Sequence, residues 1–200
     1  MSFIIQLVFY LFSLFAFLLT LPILIFSLIL VIIIDKNFPI FIQNRSGLNG
    51  KLIKIYKVTT MKYDKNKSLK YVTFLGNLLR LSKIDELPQL INILKGDMNL
   101  IGPRPLFIEF NKYYKNHHVQ RLTVKPGITG LAQIQVNDST SWDEKFDLDV
   151  YYIKNKSFKL DIYIIFKTLI KVILFIFIKS SRPVESLDYK TDFFDNYIGK

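Results

Sequence analysis

A pair of neighbouring carboxylates, Asp85 and Glu86, is the first feature of the sequence that suggests chemistry. Pro88 follows closely, and proline is tolerated in the first turn of a helix but not in its interior, because it lacks an N–H and its ring clashes with the preceding turn. The pattern therefore predicts a helix break just before Pro88 and a new helix with Asp85 as its N-cap. The pair is explained either by an ordinary cap or by a nucleophile, Asp85, that the helix start keeps ionised while Glu86 or a metal ion handles charge and protons.

Two arginines near this pair are candidates for binding phosphate. Arg104 stands between Pro103 and Pro105, which push its backbone into an extended conformation. A guanidinium on so rigid a stem suits bidentate phosphate binding, and it equally suits a structural salt bridge in a connector. Arg80, five residues before Asp85, can supply a second positive charge.

A glycine-containing loop, residues 125–130, completes the set of candidate residues. Gly127 and Gly130 can expose backbone amides to an anion, with Lys125 and Thr129 beside them, although a plain turn explains the same residues. Carboxylates, arginines and a glycine loop within about fifty residues suit phosphoryl transfer, with Mg²⁺ neutralising a diphosphate.

The composition argues against several other kinds of site. The 200 residues carry a net charge of +11, and residues 1–34 contain no charged side chain, so the whole excess lies in the remainder. Lipid headgroups, phosphates and nucleic acid are the anions that a basic domain on an apolar anchor can meet. The absence of cysteine excludes disulfides and thiolate metal sites. His117 and His118 are adjacent and therefore poorly placed to converge on one metal, so no zinc enzyme is predicted.

The N-terminal segment, residues 3–34, is predicted to be a membrane anchor that is not cleaved, because no basic region and no small-residue cleavage site accompany it. One straight helix of this length would measure roughly 48 Å, against about 30 Å for the hydrocarbon core, whereas two full spans would need more residues. Pro22 is expected to kink the helix. Two interpretations follow: a re-entrant helix broken at Pro22, or a kinked single span. Lysines and an arginine follow closely, so the downstream part should be cytoplasmic.

The elements that position these residues can be sketched from local patterns. Residues 39–61 are typical of a β-hairpin around a loop at residues 46–50, followed by a polar link at residues 62–70. Apolar residues at helical spacing flank Pro88 and end before Gly96, which is predicted to be a C-cap. A capping box predicts a helix from residue 142 to about residue 155.

The apolar run at residues 162–178 carries Lys167 and Lys171 on one face. It is predicted to be either an amphipathic helix at the membrane interface or a buried helix whose lysines reach out to solvent.

Four motifs occur in an order that resembles the bacterial sugar transferases, the monotopic phosphoglycosyl transferases. The resemblance extends from Gln43 to Tyr152, more than half of the chain. Its central motifs are Ser82-Lys83-Ile84-Asp85-Glu86-Leu87-Pro88-Gln89-Leu90, Lys95-Gly96-Asp97-Met98, Gly102-Pro103-Arg104-Pro105-Leu106 and Lys125-Pro126-Gly127-Ile128-Thr129-Gly130.

The resemblance implies that Asp85 attacks the β-phosphate of a UDP-sugar, that UMP leaves, and that polyprenyl phosphate then accepts the sugar phosphate. It also implies Mg²⁺ at the acidic pair, phosphate binding by Arg104 and a re-entrant helix broken at Pro22. Two departures stand out. Leu21 replaces a serine common in the family, and Thr59 replaces a basic residue whose loss would leave the site short of a cation unless Lys57 or Lys62 substitutes.

We therefore predict an α+β fold. Residues 1–35 form the re-entrant anchor, and residues 36–200 form a small cytoplasmic catalytic domain with a β-hairpin and interfacial amphipathic helices. The expected partners are a UDP-sugar, polyprenyl phosphate and membrane lipids at the cytoplasmic face of a bacterial inner membrane, without nucleic acid; a homo-oligomer is compatible with the sequence. The competing hypothesis is a catalytically silent, membrane-tethered basic protein that binds anionic lipid or nucleic acid.

Overall fold

The computed structural model describes residues 3–64, 69–137 and 140–178, which form a mixed fold of helices and short strand pairs. The helices are α1 (Phe3–Ile33), α2 (Phe74–Leu81), α3 (Gln89–Leu94), α4 (Leu131–Gln135), α5 (Trp142–Lys154) and α6 (Phe158–Ile178). The strands are β1 (Ile40–Ser46), β2 (Leu52–Val58), β3 (Met61–Asp64), β4 (Leu69–Val72), β5 (Asn99–Ile101) and β6 (Gly127–Thr129). Four 3₁₀ turns connect them: Leu48–Gly50, Ile84–Glu86, Ile108–Tyr113 and His118–Leu122.

Helix α1 packs along the rest of the protein over most of its length. Its buried stripe carries Ser13, Leu24, Ser27 and Val31, which recur at helical spacing. The opposite side is apolar and exposed, and Leu7–Ile33 is long and apolar enough to cross a membrane by length and composition. Contacts with the core begin at Phe9, near the start of the helix. Helix α1 thus shares a buried face with the residues that follow it.

Pro22 lies inside α1, which runs as one helix across this position. The predicted break at Pro22 is therefore not observed, and the re-entrant bend stays a prediction. The hydroxyl of Thr20, two residues before the proline, donates to the carbonyls of Ala16, at 2.7 Å, and Phe17, at 3.3 Å. The carbonyl that loses its partner to Pro22 is that of Leu18, four residues earlier.

The predicted hairpin is confirmed as the antiparallel pair of β1 and β2, with Ile40 opposite Val58 and Ser46 opposite Leu52. The polar link was wrong in part, because Met61–Asp64 and Leu69–Val72 form a second antiparallel pair. The predicted helix break before Pro88 and the end of the next helix before Gly96 are confirmed, as is the capping box of Ser141 and Glu144 on α5.

Helix α3 is fixed to the first hairpin by Asn92, a fully buried amide. Its Nδ2 donates to the Lys54 carbonyl at 2.7 Å, and its Oδ1 accepts from the Tyr56 amide at 3.3 Å. A buried amide that satisfies backbone groups of a neighbouring strand sets the position of that strand closely. Residues at the end of β2 therefore have a defined place relative to the segment that precedes α3.

Helices α2 and α6 expose large apolar side chains, as interfacial helices do. Phe74 and Leu78 project from α2, at 90% and 56% exposure, and Phe166 and Leu169 project from α6, at 60% and 58%. Together with the exposed side of α1, these side chains form apolar surface that suits contact with lipid. Lys171 of α6 points back to the protein, where it donates to the carbonyls at the C-terminal end of α4.

Candidate active site

The acidic pair lies in the 3₁₀ turn Ile84–Glu86, between α2 and α3. Lys83 precedes the turn in the left-handed conformation, with φ of 59°, and reverses the chain so that both carboxylates turn inward. The predicted capping role is wrong, because the residue before α3 is Pro88 and Asp85 lies within the turn. Asp85 is only 8% exposed. A buried acidic pair that caps no helix lacks the simplest structural explanation for its presence.

Glu86 is held by two cations that come from distant parts of the chain. Its Oε1 lies 3.1 Å from Lys57 Nζ, at the end of β2, and 3.0 Å from Arg104 Nη2. Burial opposes the charged form, yet Lys57 and Arg104 outweigh it and hold the pKa of Glu86 well below its usual value. Glu86 is therefore ionised at neutral pH and is a poor proton acceptor.

Asp85 has the opposite electrostatics from its neighbour. Burial, and next the charge of Glu86, raise its pKa to about 6, against the lowering effects of Lys57, Lys83 and Arg80. The sequence predicted that a helix start would favour the ionised form of Asp85, whereas burial and Glu86 shift its pKa in the opposite direction. The carboxylate is a buried group in a site with a repelling neighbour, so it gains a proton more readily than an ordinary aspartate.

Arg80 reaches the same region from the last turn of α2. Its Nε donates to Thr60 Oγ1 at 2.8 Å. Gly76 permits this approach, because any side chain there would collide with the backbone of Thr60. Thr59 stands where the family resemblance predicts a basic residue, so the site could lack one positive charge. Lys57 lies two residues earlier on β2 and contacts Glu86, so it places a positive charge in the site.

Arg104 reaches Glu86 from a connector that a second, buried arginine fixes. Arg121 Nη2 donates to the Arg104 carbonyl at 2.8 Å, and the same nitrogen contacts Asp149 Oδ2 at 2.8 Å. The remaining donors of Arg121 bond Tyr114 and Asp149, at 2.6 and 3.2 Å. The side chain of Arg104 stays 33% exposed, so it can both pair with Glu86 and face a ligand.

The loop of residues 125–130 lies in a different setting from the one that anion binding would require. Gly127 begins β6, which pairs in parallel with β5, and its amide donates to the Pro103 carbonyl at 3.0 Å. A side chain at Gly127 or Gly130 would collide with the backbone of Gly102, so both glycines permit close packing. Thr129 is buried and its hydroxyl bonds Thr168 at 2.6 Å.

Lys125 lines a cavity of about 500 Å³ between the start of α1 and the junction of α5 and α6, beside Tyr152, Lys156 and Asp161. This cavity lies near the C-terminal end of α3, where Gly96 contributes to its wall, whereas the acidic pair lies before the start of that helix. The anion-binding role of Lys125, Gly127, Thr129 and Gly130 stays a prediction, and Asp85, Glu86, Arg80 and Arg104 are the predicted site residues that the fold brings together.

The acidic pair also fits Mg²⁺. Magnesium prefers oxygen ligands and is commonly held by one or two carboxylates together with substrate phosphates. Burial is the largest cause of the raised pKa of Asp85, and the charge of Glu86 is the next. A divalent cation beside Asp85 and Glu86 would offset the repulsion between the two carboxylates, and these two residues are the ones that would hold it.

His117 and His118 are brought together with Asp147 of α5, contrary to the expectation that neighbouring histidines would not converge. The reason is a long-range contact between the turn His118–Leu122 and α5, which the sequence alone does not show. Sequence reasoning named Lys57, together with Lys62, only as a substitute for the basic residue that Thr59 replaces, and the structure places Lys57 Nζ 3.1 Å from Glu86 Oε1.

A sequence profile described as bacterial sugar transferase matches residues 2–175, so the chain belongs to that family. An uncharacterized sugar transferase of Bacillus subtilis, EpsL, is 44% identical over 60% of this chain and 62% of its own length. A galactosyl transferase of Streptococcus agalactiae, CpsE, is 38% identical over 62% of this chain and 32% of its own. A UDP-glucose:undecaprenyl-phosphate glucose-1-phosphate transferase of Escherichia coli is 37% identical over 59% and 29%. The chain thus spans less than two thirds of these relatives.

Proposed function

We propose that this bacterial sugar transferase moves a sugar 1-phosphate from a UDP-sugar to a polyprenyl phosphate and releases UMP, as a first membrane step in making a glycan or glycoprotein. The observation that carries the proposal is the asymmetry of the buried acidic pair: Glu86 is held ionised by Lys57 and Arg104, whereas Asp85 has a pKa of about 6. The names of the E. coli relative and of an Aeromonas hydrophila relative, an N-acetylgalactosaminephosphotransferase, support the substrate class.

Asp85 is the proposed nucleophile. A carboxylate oxygen of Asp85 attacks the β-phosphorus, a new P–O bond forms, and the bond from that phosphorus to the bridging oxygen breaks, so UMP leaves with the electron pair. A carboxylate with a pKa of about 6 is mostly ionised at neutral pH, yet it is less stabilised by its surroundings than Glu86. That difference favours Asp85 over Glu86 as the reacting group.

Three charged side chains would surround the reacting phosphate, hold it in position and compensate its charge: Glu86, Lys57 and Arg104. The pair of cations on Glu86 Oε1 fixes that carboxylate, and Arg104 keeps about a third of its side chain exposed, so it can also contact a diphosphate. Arg80, held by Thr60, adds positive charge near Asp85. A bound Mg²⁺ supplies further charge neutralisation for the diphosphate and its leaving group.

The second half of the reaction returns Asp85 to its starting state. A phosphate oxygen of the polyprenyl phosphate attacks the same phosphorus, and the carboxylate of Asp85 leaves with its electron pair. The product is a polyprenyl diphosphate sugar. No net proton transfer to the enzyme is needed, which agrees with the low pKa of Glu86.

The packing of α1 supports a location at one membrane face, which we infer to be the cytoplasmic face of the inner membrane. Core contacts extend from Phe9 to Val31, a rise of about 33 Å. A helix that crossed the bilayer upright would carry its charged domain into a hydrocarbon layer of about 30 Å. A re-entrant or inclined anchor avoids that cost. A tag before Met1 should be protected from an impermeant reagent outside intact cells, and labelling from outside would refute this arrangement.

The experiment that tests the reaction is a burst assay without acceptor. Enzyme mixed with a UDP-sugar and Mg²⁺ should release UMP up to the enzyme concentration and then stop, and polyprenyl phosphate should restart turnover. Asp85→Asn should abolish the burst, whereas Glu109→Gln, which removes an exposed carboxylate, should leave it intact. A full burst from Asp85→Asn would show that another group is the nucleophile, and UMP release by the wild type only when polyprenyl phosphate is present would show direct attack by the acceptor.

The same purified protein can be used to test the competing hypothesis of a catalytically silent basic protein. Binding to nucleic acid through charge should weaken steeply between about 50 and 200 mM salt, whereas turnover should depend on the nucleotide-sugar and the divalent cation. A protein that binds anionic lipid or nucleic acid but releases no UMP from a panel of UDP-sugars would support that alternative.

A further inference from the structure

A cluster of three side chains with metal-ligand chemistry lies between the 3₁₀ turn His118–Leu122 and α5. His117 and His118 each direct Nε2 to the same carboxylate oxygen, Asp147 Oδ1, at 3.1 and 2.9 Å. The three candidate ligand atoms all lie within 4.8 Å of one another. The proposed reaction does not use these residues.

The spacing of these atoms is close to that of a metal site. Ligands around a tetrahedral zinc ion, at metal distances of about 2.0–2.1 Å, are separated by roughly 3.3 Å. Asp147 therefore needs to move only a few tenths of an ångström from each histidine nitrogen. His117 is about half exposed and can adjust its ring, whereas His118 is 1% exposed and held in place.

The chemistry of the set selects the class of ion. Two imidazole nitrogens and one carboxylate oxygen form the set that zinc accepts in sites with one open position. Imidazole also suits other late divalent transition metals, whereas Mg²⁺ prefers oxygen ligands alone. The cluster thus differs in kind from the acidic pair at Asp85 and Glu86.

Asp143 provides a second, independent observation. Its Oδ1 is buried and has no hydrogen-bond partner in the described ranges 3–64, 69–137 and 140–178, and it lies 3.7 Å from His118 Nδ1. Lys115 holds its other oxygen at 2.7 Å. Metal-binding histidines usually donate their second ring N–H to a carboxylate, which fixes the tautomer and frees the other nitrogen for the ion. A small movement of Asp143, which is 43% exposed, toward His118 Nδ1 would give the orphaned oxygen this donor.

We propose that His117, His118 and Asp147 form a surface site for one Zn²⁺ ion, with Asp143 as the carboxylate that orients His118. The open position on the metal is filled by water. Bound zinc ties the turn His118–Leu122 to α5. Arg121 lies in that turn and holds the Arg104 carbonyl, so the site stabilises the support of the candidate active site from a distance.

The test uses the full chain in detergent, purified with a histidine-free tag and freed of metal by a chelator. Titration calorimetry with ZnCl₂ should give one ion per chain, and the thermal midpoint should rise with Zn²⁺ but not with equimolar MgCl₂. Asp147→Asn and His118→Gln should weaken zinc binding by more than about a hundredfold, and Asp143→Asn by about ten- to a hundredfold, the usual cost of losing an orienting group.

Glu109→Gln is the matched control, because it removes a carboxylate outside the cluster and should leave the zinc affinity unchanged. Circular dichroism on each metal-free variant separates lost binding from lost folding, and the conservative Asp143→Asn change keeps the proposal testable if Asp147→Asn or His118→Gln unfolds. Absence of saturable zinc binding by the wild-type chain, or equal affinity in the wild type, Asp147→Asn and Asp143→Asn, would overturn the site.

Discussion

The protein contains two buried clusters of opposite charges, and they are organised differently. In one, Arg121 donates two hydrogen bonds to Oδ2 of a single carboxylate, Asp149, and also donates to the Tyr114 hydroxyl and the Arg104 carbonyl. In the other, Asp85 and Glu86 lie side by side, and the two ion pairs go to Glu86. The first arrangement stabilises the fold, whereas the second leaves Asp85 with a raised pKa, as a carboxylate that is available to react.

Arg104 connects the two clusters. Its backbone carbonyl accepts from Arg121, and its guanidinium pairs with Glu86. Burial alone therefore does not identify a functional carboxylate, because burial raises the pKa of both Asp85 and Asp149. What distinguishes them is whether hydrogen bonds compensate for that burial or a like charge adds to it.

The largest change in the free energy of unfolding should come from breaking the pair of Arg121 and Asp149. Arg121→Met leaves Asp149 buried without its cation, and removal of one partner from such a pair typically costs about 3–5 kcal/mol. Chemical unfolding should show this loss. The double variant Arg121→Met with Asp149→Leu should recover much of it, because no buried charge then remains. A single variant as stable as the wild type would show that this cluster does not hold the fold.

Asp85→Asn should have the opposite sign, a gain in stability. Because the folded pKa of about 6 exceeds the ordinary aspartate value of 3.8, ionised Asp85 destabilises the fold by on the order of 2–3 kcal/mol at neutral pH. This penalty develops as the pH rises from about 4 to 6 and is constant above that range. The difference in thermal midpoint between Asp85→Asn and wild type should therefore be small at pH 4 and grow up to about pH 6. A difference that is equal at both pH values would contradict the raised pKa.

Arg104→Lys should reduce turnover while the fold is kept. A lysine ammonium can pair with Glu86, but it cannot replace a planar guanidinium in two phosphate bonds. We expect a loss of about 1.5–3 kcal/mol in transition-state stabilisation, or roughly ten- to a hundredfold in rate. Steady-state kinetics and a melting curve measure the two properties. Wild-type kinetics in this variant would mean that Arg104 serves only as a structural partner of Glu86.

The smallest effect should come from an ion pair outside both clusters. Lys115 and Asp143 lie 2.7 Å apart but are 56% and 43% exposed. Exposed pairs contribute about 0.2–1 kcal/mol, because water competes for both charges. Lys115→Ala in metal-free buffer should therefore change the free energy of unfolding by less than about 1 kcal/mol. A loss as large as that from Arg121→Met would show that exposure does not separate these pairs.

The sequence allowed prediction of features that depend on neighbouring residues. The hairpin of β1 and β2, the helix break before Pro88 and the capping box on α5 each need only a short window of sequence, and all are confirmed. The approach of Arg80 and Arg104 to the acidic pair could be proposed from their positions in the sequence, and for Arg104 also from the family resemblance, and the structure brings both arginines near the pair.

Features that depend on long-range contacts were missed. Lys57 pairs with Glu86 across 29 positions of sequence, and Asp147 meets His118 across 29 as well. The parallel pairing of β5 and β6 turned a predicted glycine loop into a packed strand. Even the raised pKa of Asp85 could not be predicted from neighbouring residues in the sequence, because the largest cause of the shift is burial by the surrounding fold.

The packing of α1 has a consequence for how the chain is made. The helix is synthesised first, whereas Leu75 and Ile164, members of the core clusters to which it contributes, leave the ribosome much later. The stripe that will be buried carries three hydroxyls, and each bonds a carbonyl of its own helix: Ser13 to Phe9, Thr20 to Ala16 and Ser27 to Leu24. The newly synthesised helix can therefore reside in lipid while its three hydroxyls are already hydrogen-bonded. The later segments can then pack against it without breaking these hydrogen bonds.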